Sequence, residues 1–301
     1  MQYRTMTIPP EFAGRTAESI LKTEFGMSKT RISALKRRAM GVTLNGERIY
    51  TTVKVASGDV LRAEAGDLAP VPTAPPVPLP LDIVFEDEWL MVLNKPADLA
   101  CQPTRDPEEV SVEHGLAAYL GKDTCAHPAS RLDKMTSGLM TVAKSGYVHE
   151  LLKKEMHTEL FRKEYRGIAT GKVVPAHGFV NEPIGFFEGS SYQRAVRPDG
   201  APSLTEFEVL LQGGGLTLLR LVPHTGRTHQ LRLHMAYLGY PLAGDFLYGT
   251  EEKELIGRAA LHSYELWLRH PVTGEDLHFT ASLPEDMRRL VARMEDPAEE
   301  G

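Results

Sequence analysis

The pattern of apolar and polar positions divides the chain into two unequal parts. From Thr16 to Phe25, the residues Ala17, Ile20, Leu21 and Phe25 recur at helical spacing, and after Ser28 a second helical pattern carries Ile32, Leu35 and Ala39. Ser28 suits a helix N-cap and Gly41 a helix end. Val42-Thr43-Leu44 and Arg48-Ile49-Tyr50 flank Asn45-Gly46, a dipeptide that tolerates two left-handed residues and so predicts a type I′ hairpin. Ser57-Gly58-Asp59 then turns into a short strand at Val60-Leu61. From Ala69 to Pro80 prolines remove the donors of any regular ladder, which predicts an extended linker (69–80) spacing a small module (1–68) from a larger body (81–301).

The body opens with two strand-like runs, Leu81 to Phe85 and Trp89 to Leu93, around Glu86-Asp87-Glu88. Helical stretches follow at Val112 to Tyr119 and Ser145 to Met156, with an apolar strand from Leu139 to Ala143 between them. Phe161 to Ala169 alternates as a strand, Thr205 to Leu211 and Leu216 to Val222 pair across three glycines, and Ala260 to Leu268 faces Leu277 to Ala281. Pro284 starts a last amphipathic helix with Leu290 and Met294 inward.

Composition adds three bounds. A chain of 301 residues with 42% apolar residues fits one large domain and a small one. Cys101 and Cys125 lie in unrelated contexts, which suggests neither a disulfide framework nor a thiolate metal site and fits a reducing cytoplasm. The first residues lack an apolar signal region and eighteen apolar residues never run uninterrupted, so a soluble protein, neither secreted nor membrane-spanning, is expected.

Charge separates the two parts further. Between Arg15 and Arg62, ten Lys or Arg stand against four Asp or Glu, while the whole chain carries a net charge of -6. A basic module on an acidic body suggests that one end meets a polyanion. Lys29, Arg31, Lys36, Arg37 and Arg38 of the second helix are the candidate contacts.

Candidate chemistry centres on Asp133, placed between Arg131 and the Thr136-Ser137-Gly138 turn that leads into an apolar strand. A carboxylate there is ionised at neutral pH and can act as nucleophile or base, although a turn aspartate capping local amides would look the same. An aspartyl-phosphate reading fails for want of a second acid, Met135 standing in its place. His224, His229 and His234 are spaced by five, which on a helix turns their side chains about 140° apart and argues against a zinc site. His149 and His157 are too far apart for a facing ligand pair and are read as solvent-side.

Arg131, Leu132, Asp133, Thr136, Ser137 and Gly138 together resemble the active-site motif of the RluA-type pseudouridine synthases, His-Arg-Leu-Asp-x-x-Thr-Ser-Gly, with Ser130 at the histidine position. Three more stretches resemble the same family in the same order: Lys95-Pro96 after a strand, Lys163-x-Tyr165, and Gly226-Arg227-x-His229-Gln230-Leu231-Arg232-x-His234. The module before them is similar to an S4 RNA-binding domain.

The resemblance implies an α+β pseudouridine synthase fold, a mostly antiparallel mixed sheet flanked by helices, behind a small S4-like domain. It implies an RNA-modifying isomerase working on ribosomal RNA in preference to transfer RNA, as a cytoplasmic monomer without cofactor or metal. Asp133 would be its catalytic acid residue, Arg227 the arginine paired with it, and Tyr165 the ring stacked on an extruded uracil. Arg131 would fill the vacated space, Leu231 line the pocket and Lys95 support the substrate. A catalytically retired RNA-binding protein of the same fold is the alternative.

Overall fold

The computed structural model describes residues 2–68, 74–121, 125–156 and 158–295. The N-terminal module runs β1 (Tyr3–Thr7), α1 (Ala17–Thr23), α2 (Lys29–Leu35), β2 (Val42–Leu44), β3 (Glu47–Arg48) and β4 (Val60–Glu64). Its strands form one antiparallel sheet in the order β1-β4-β2-β3. Local signals act as the residues suggest. The Thr16 and Ser28 side chains accept from the Ser19 and Arg31 N–H groups and cap the two helices, and Asn45 and Gly46 turn the β2–β3 hairpin at φ of 53° and 87°. Strand β1 carries little periodicity of its own and is held in place by pairing with β4 from Glu64 to Val60.

The body continues with β5 (Ile83–Glu86), β6 (Leu90–Lys95), α3 (Val112–Leu120), β7 (His127–Pro128), β8 (Ser137–Ala143), α4 (Gly146–Glu155) and β9 (Phe161–Thr170). Then come β10 (His177–Asn181), β11 (Ile184–Phe186), β12 (Arg194–Val196), β13 (Leu204–Gly213), β14 (Leu216–Pro223), α5 (Gln230–Tyr237), β15 (Leu261–Arg269), β16 (Asp276–Thr280) and α6 (Glu285–Glu295). Among the described residues the main sheet has the order β10-β13-β14-β9-β15-β8-β6-β5, with β16 on β15 and β7 on β8. Only the β15–β8 pairing is parallel. Strands β11 and β12 form a separate ribbon. The architecture is the expected α+β one.

Strands β6 and β8 are apolar at nearly every position because both of their faces are covered. Leu90, Val92, Leu139 and Ala143 point into one core, while Met91, Leu93, Met140 and Val142 point into another with Tyr165, Leu219 and Leu221, packed under Leu116 of α3 and Met235 of α5. Strand β9 differs, since its second face carries ions: Glu164 pairs with Arg220 at 2.6 Å, and Arg162 lies 4.0 Å from the Trp267 ring centre. The alternation of β9 is therefore apolar toward α3 and α5, while its other face carries Arg162, Glu164 and Arg166 before Ile168 packs against Met287 and Leu290 of α6.

The expected spacing of module and body is corrected by the structure. Phe25 and Leu21 of the module share one core with Trp89, Tyr147 and Leu151 of the body. The Tyr147 hydroxyl donates to Phe25 O at 2.5 Å and accepts from Arg4 Nη1 at 2.8 Å, while Asp67 accepts from Gly146 N at 2.7 Å and pairs with His127 at 2.9 Å. A side chain at Gly26, which has φ 67°, would meet Leu151 at 2.7 Å, so the approach is as close as a bare backbone allows. Burial of this apolar seam holds the module down whatever the stiffness of the proline run, whose residues 69–73 lie outside the described residues. No helix among the described residues is long and apolar enough to cross a membrane.

Candidate active site

Asp133 sits on the turn that enters β8, and that turn is held from three sides. Thr136 N donates to Asp133 O at 3.0 Å and closes it locally. The buried Lys95 ammonium donates to the carbonyls of Pro96, Leu99 and Lys134 at 2.7, 2.8 and 3.0 Å. Arg258 reaches Met135 O at 3.1 Å from the other side, and the Cys101 thiol donates to Leu132 O and accepts from Leu132 N, both at 3.3 Å. Gly138, at φ 108°, allows the exit from the turn, because a Cβ there would lie 2.2 Å from Ser263 O.

Lys95 is thus corrected from a substrate contact to a support of the loop. Only 2% of it is exposed, and burial pushes its pKa down to about 8. Ser130, at the position where the family motif has histidine, is buried too. Its hydroxyl accepts from Thr141 N at 3.1 Å and ties the loop's stem to β8.

The arginine that faces Asp133 is Arg232, whose Nη1 lies 3.4 Å from Asp133 Oδ2. Its remaining nitrogens make a bidentate pair with the fully buried Asp245, Nε and Nη2 each at 2.7 Å. Burial works against the Arg232 charge, but the Asp245 hydrogen bonds and the charges of Asp245 and Asp133 prevail and raise its pKa above the usual guanidinium value. The expectation that Arg227 makes this pair is corrected: Arg227 is exposed, with its Nε donating to Pro202 O at 3.3 Å. The reason is where the helix begins. Residues 224–228 remain loop, His229 takes a left-handed conformation as N-cap, and the helix whose side chains include Arg232 begins only at Gln230, which leaves Arg227 on the loop outside it.

The rest of that motif staples the helix start to β13. Gln230 accepts from Thr225 and from Arg227 N and donates to Leu204 O, and His234 bonds Thr205 and Glu182 O. Tyr165, 6% exposed, shares an apolar cluster with Leu132 and Leu231. Arg131, exposed beside the acid, donates to Gln102 Oε1 at 2.9 Å. The structure therefore brings together Asp133, Leu132, Tyr165, Leu231 and Arg232, and leaves Arg227 outside. Sequence reasoning missed Asp245, Cys101 and the pairing role of Arg232, although Arg232 lay within a stretch that already resembled the family.

The basic helix is corrected in part. Arg31 is turned inward, its guanidinium donating to Glu64 O and Gly66 O at 3.1 and 2.7 Å and lying 5.1 Å from the Tyr147 ring centre. Lys36 pairs with Glu18 at 2.7 Å and Arg38 with Glu64 at 2.6 Å. Lys29 and Arg37 are exposed. His149, expected at the solvent, is half-buried and stacked on His127 at 5.6 Å, and burial lowers its pKa to about 4. His157 lies outside the described residues. Among those residues no three His, Cys, Asp or Glu side chains are grouped to hold a metal ion.

The chain is similar to known proteins in sequence and in fold. Residues 89–237 match the model of the RNA pseudouridylate synthase family. The uncharacterized RNA pseudouridine synthase YjbO of Bacillus subtilis (strain 168) is 36% identical over 271 residues, covering 89% of this chain and 95% of its own. The ribosomal large subunit pseudouridine synthase D of Vibrio vulnificus (strain CMCP6) is 35% identical over 273 residues, covering 85% of this chain and 80% of its own. The solved structure of human RNA pseudouridylate synthase domain containing 4 shares the fold, with a TM-score of 0.57 at 22% identity over 71% of this chain and 92% of its own. With an acid on its turn, an arginine against it and a tyrosine in the adjoining apolar wall, the chain belongs to the RluA-type RNA pseudouridine synthases.

Proposed function

We propose that this enzyme converts a uridine of ribosomal RNA to pseudouridine with Asp133 as the residue that acts on the ribose. The pairing of Asp133 with Arg232 at the edge of the Tyr165–Leu231–Leu132 wall carries the reading. A stacked base is out of reach of a carboxylate on a turn, so the uridine must be extruded, at a cost of roughly a few kcal/mol. Tyr165 supplies a flat face for the extruded ring and Leu231 its apolar side. Arg131, exposed one residue from the buried Leu132, fills the space left in the RNA.

With the uracil in place, Asp133 either adds to C1′ while the C1′–N1 bond breaks, or removes the 2′ proton as that bond breaks to give a glycal; the base turns, C5 bonds to C1′ as the Asp133–C1′ bond breaks or the 2′ proton returns, and C5 then loses its proton while N1 gains one. Arg232 keeps the acid aimed as the base displaces water. The net change is an isomerisation of the substrate, N1–C1′ and C5–H giving way to C5–C1′ and N1–H, so no redox partner enters the balance.

Ribosomal RNA is supported by the synthase D relatives, whose name gives the large ribosomal subunit as their target. The N-terminal module acts in this reading as an S4-like RNA-binding domain that offers Lys29 and Arg37, and the enzyme works in the cytoplasm as a monomer. Mapping pseudouridines across total RNA with and without the gene tests it. One position in ribosomal RNA should lose its modification and regain it with the wild-type gene but not with Asp133→Asn. A lost position in transfer RNA, or none, would overturn the assignment.

A further inference from the structure

A tyrosine that no part of this reading uses sits where three pieces of the site meet. Tyr248 follows the buried Asp245 by three residues, and its backbone N–H donates to Asp245 Oδ1 at 3.2 Å. Its hydroxyl accepts from Arg194 N of the β11–β12 ribbon at 2.9 Å and lies 2.8 Å from His229 Nδ1. The ring meets the His229 imidazole edge-on, with centres 5.6 Å apart, and the Arg232 guanidinium lies 5.3 Å from the Tyr248 ring centre.

The hydroxyl links the protons of this cluster. Having accepted from Arg194 N–H, the phenol has one hydrogen left to donate, and His229 Nδ1 lies within its reach. Donation to Nδ1 leaves a neutral His229 with its own hydrogen on Nε2. The imidazole starts from a left-handed backbone at φ 59°, uncommon for a non-glycine residue. Burial lowers the His229 pKa and the charge of Asp133 acts in the opposite direction, so acid and imidazole feel one another.

We propose that Tyr248 is a positioning residue of the isomerisation: its hydroxyl sets the tautomer and orientation of His229 and anchors the β11–β12 ribbon, while its ring backs the guanidinium of Arg232 that faces Asp133. The ribbon, the helix start and the acid thereby share one reference point. This inference rests on the pseudouridine synthase reading, but part of its test does not require turnover.

The test compares Tyr248→Phe, which removes only the hydroxyl, with Tyr248→Ala, which also removes the ring. In the ¹⁵N spectrum of the imidazole, wild type should show His229 with its hydrogen on Nε2, and Tyr248→Phe should lose that preference. On RNA from the strain lacking the gene, Tyr248→Phe should lower the single-turnover rate about tenfold, a loss worth about 1.4 kcal/mol, with Kd for RNA and Tm unchanged. Tyr248→Ala should cost a further factor of several. Combining Tyr248→Phe with His229→Ala should cost no more than His229→Ala alone, since the hydroxyl acts through that ring.

An unchanged tautomer in Tyr248→Phe would overturn the proposal, and so would a rate within twofold of wild type. A rate loss matched by an equal weakening of RNA binding would also overturn it, because Tyr248 would then be a binding contact. An inactive wild-type enzyme would sink the functional reading instead, leaving the tautomer measurement to decide on Tyr248.

Discussion

The N-terminal module and the surroundings of Asp133 use cations in different ways. In the module, Arg31, Lys36 and Arg38 are turned onto Glu64, Glu18 and nearby carbonyls, and Arg31 also packs on Tyr147 of the body. Around Asp133, Arg131 and Arg227 are exposed, while Arg232 is buried and aimed at the acid. A surplus of positive charge along a sequence therefore does not by itself mark an RNA-binding face. Charges that meet their own chain's acids stabilise the fold, and only those left facing solvent, or held against a reactive group, remain for the substrate.

The sharpest way to break the contrast is at the acid. Asp133→Asn should lower pseudouridine formation by roughly three to four orders of magnitude while RNA affinity stays within about twofold, since the site keeps its shape and loses its ionised group. Retained activity in a primer-extension assay would refute the central role of this residue.

The two arginines come next. Arg232→Met leaves the buried Asp245 without its bidentate partner and should destabilise the fold by about 3–5 kcal/mol as well as lowering the rate. Arg227→Met should leave Tm unchanged and the rate within a few-fold, because an exposed arginine is replaced without stranding a buried charge. Equal losses in the two variants would argue for a bound state in which Arg227 swings inward.

At the seam between module and body, Tyr147→Ala removes a buried ring together with the hydroxyl that bridges Phe25 O and Arg4, and should cost about 3–5 kcal/mol. Limited proteolysis should then cut between the two parts. Within the module, replacing Lys29 and Arg37 together by Ala should weaken RNA binding and reduce the slope of log K against log salt by about 2, whereas replacing Lys36 and Arg38 should leave the slope nearly unchanged.

The smallest effect concerns Lys95. Its folded pKa of about 8 lies below the unfolded value of about 10.4, so between these pH values the unfolded chain binds more protons and stability rises with pH. In wild type minus Lys95→Met, Tm should therefore climb from pH 7.5 to pH 9.5. A flat or falling difference would mean that Lys95 keeps its proton throughout.

Much of this was legible beforehand because the signals were local. Apolar runs marked β6 and β8, the Asn45-Gly46 pair marked its hairpin, and Ser28 marked a helix start. The acid and the tyrosine were pointed to by the resemblance of short stretches to the family's motifs. The pairing arginine was not, because Arg227 and Arg232 lie in one stretch and their difference is the residue at which α5 begins. That in turn depends on a left-handed His229 and on Gln230 reaching across to β13.

By itself the sequence determined the kind of protein: its helices and most of its longer strands, the basic bias of its first part and the acid on a turn before a buried strand. Those features follow from neighbours along the chain, where side-chain period and turn chemistry act within a few residues. The tertiary structure alone decided which cations are free, that the module is docked and not spaced, and which guanidinium faces Asp133. Each of those is a competition between partners as distant as Asp133 and Arg232 or Arg4 and Tyr147. Its outcome depends on burial and distance, which residue order does not contain.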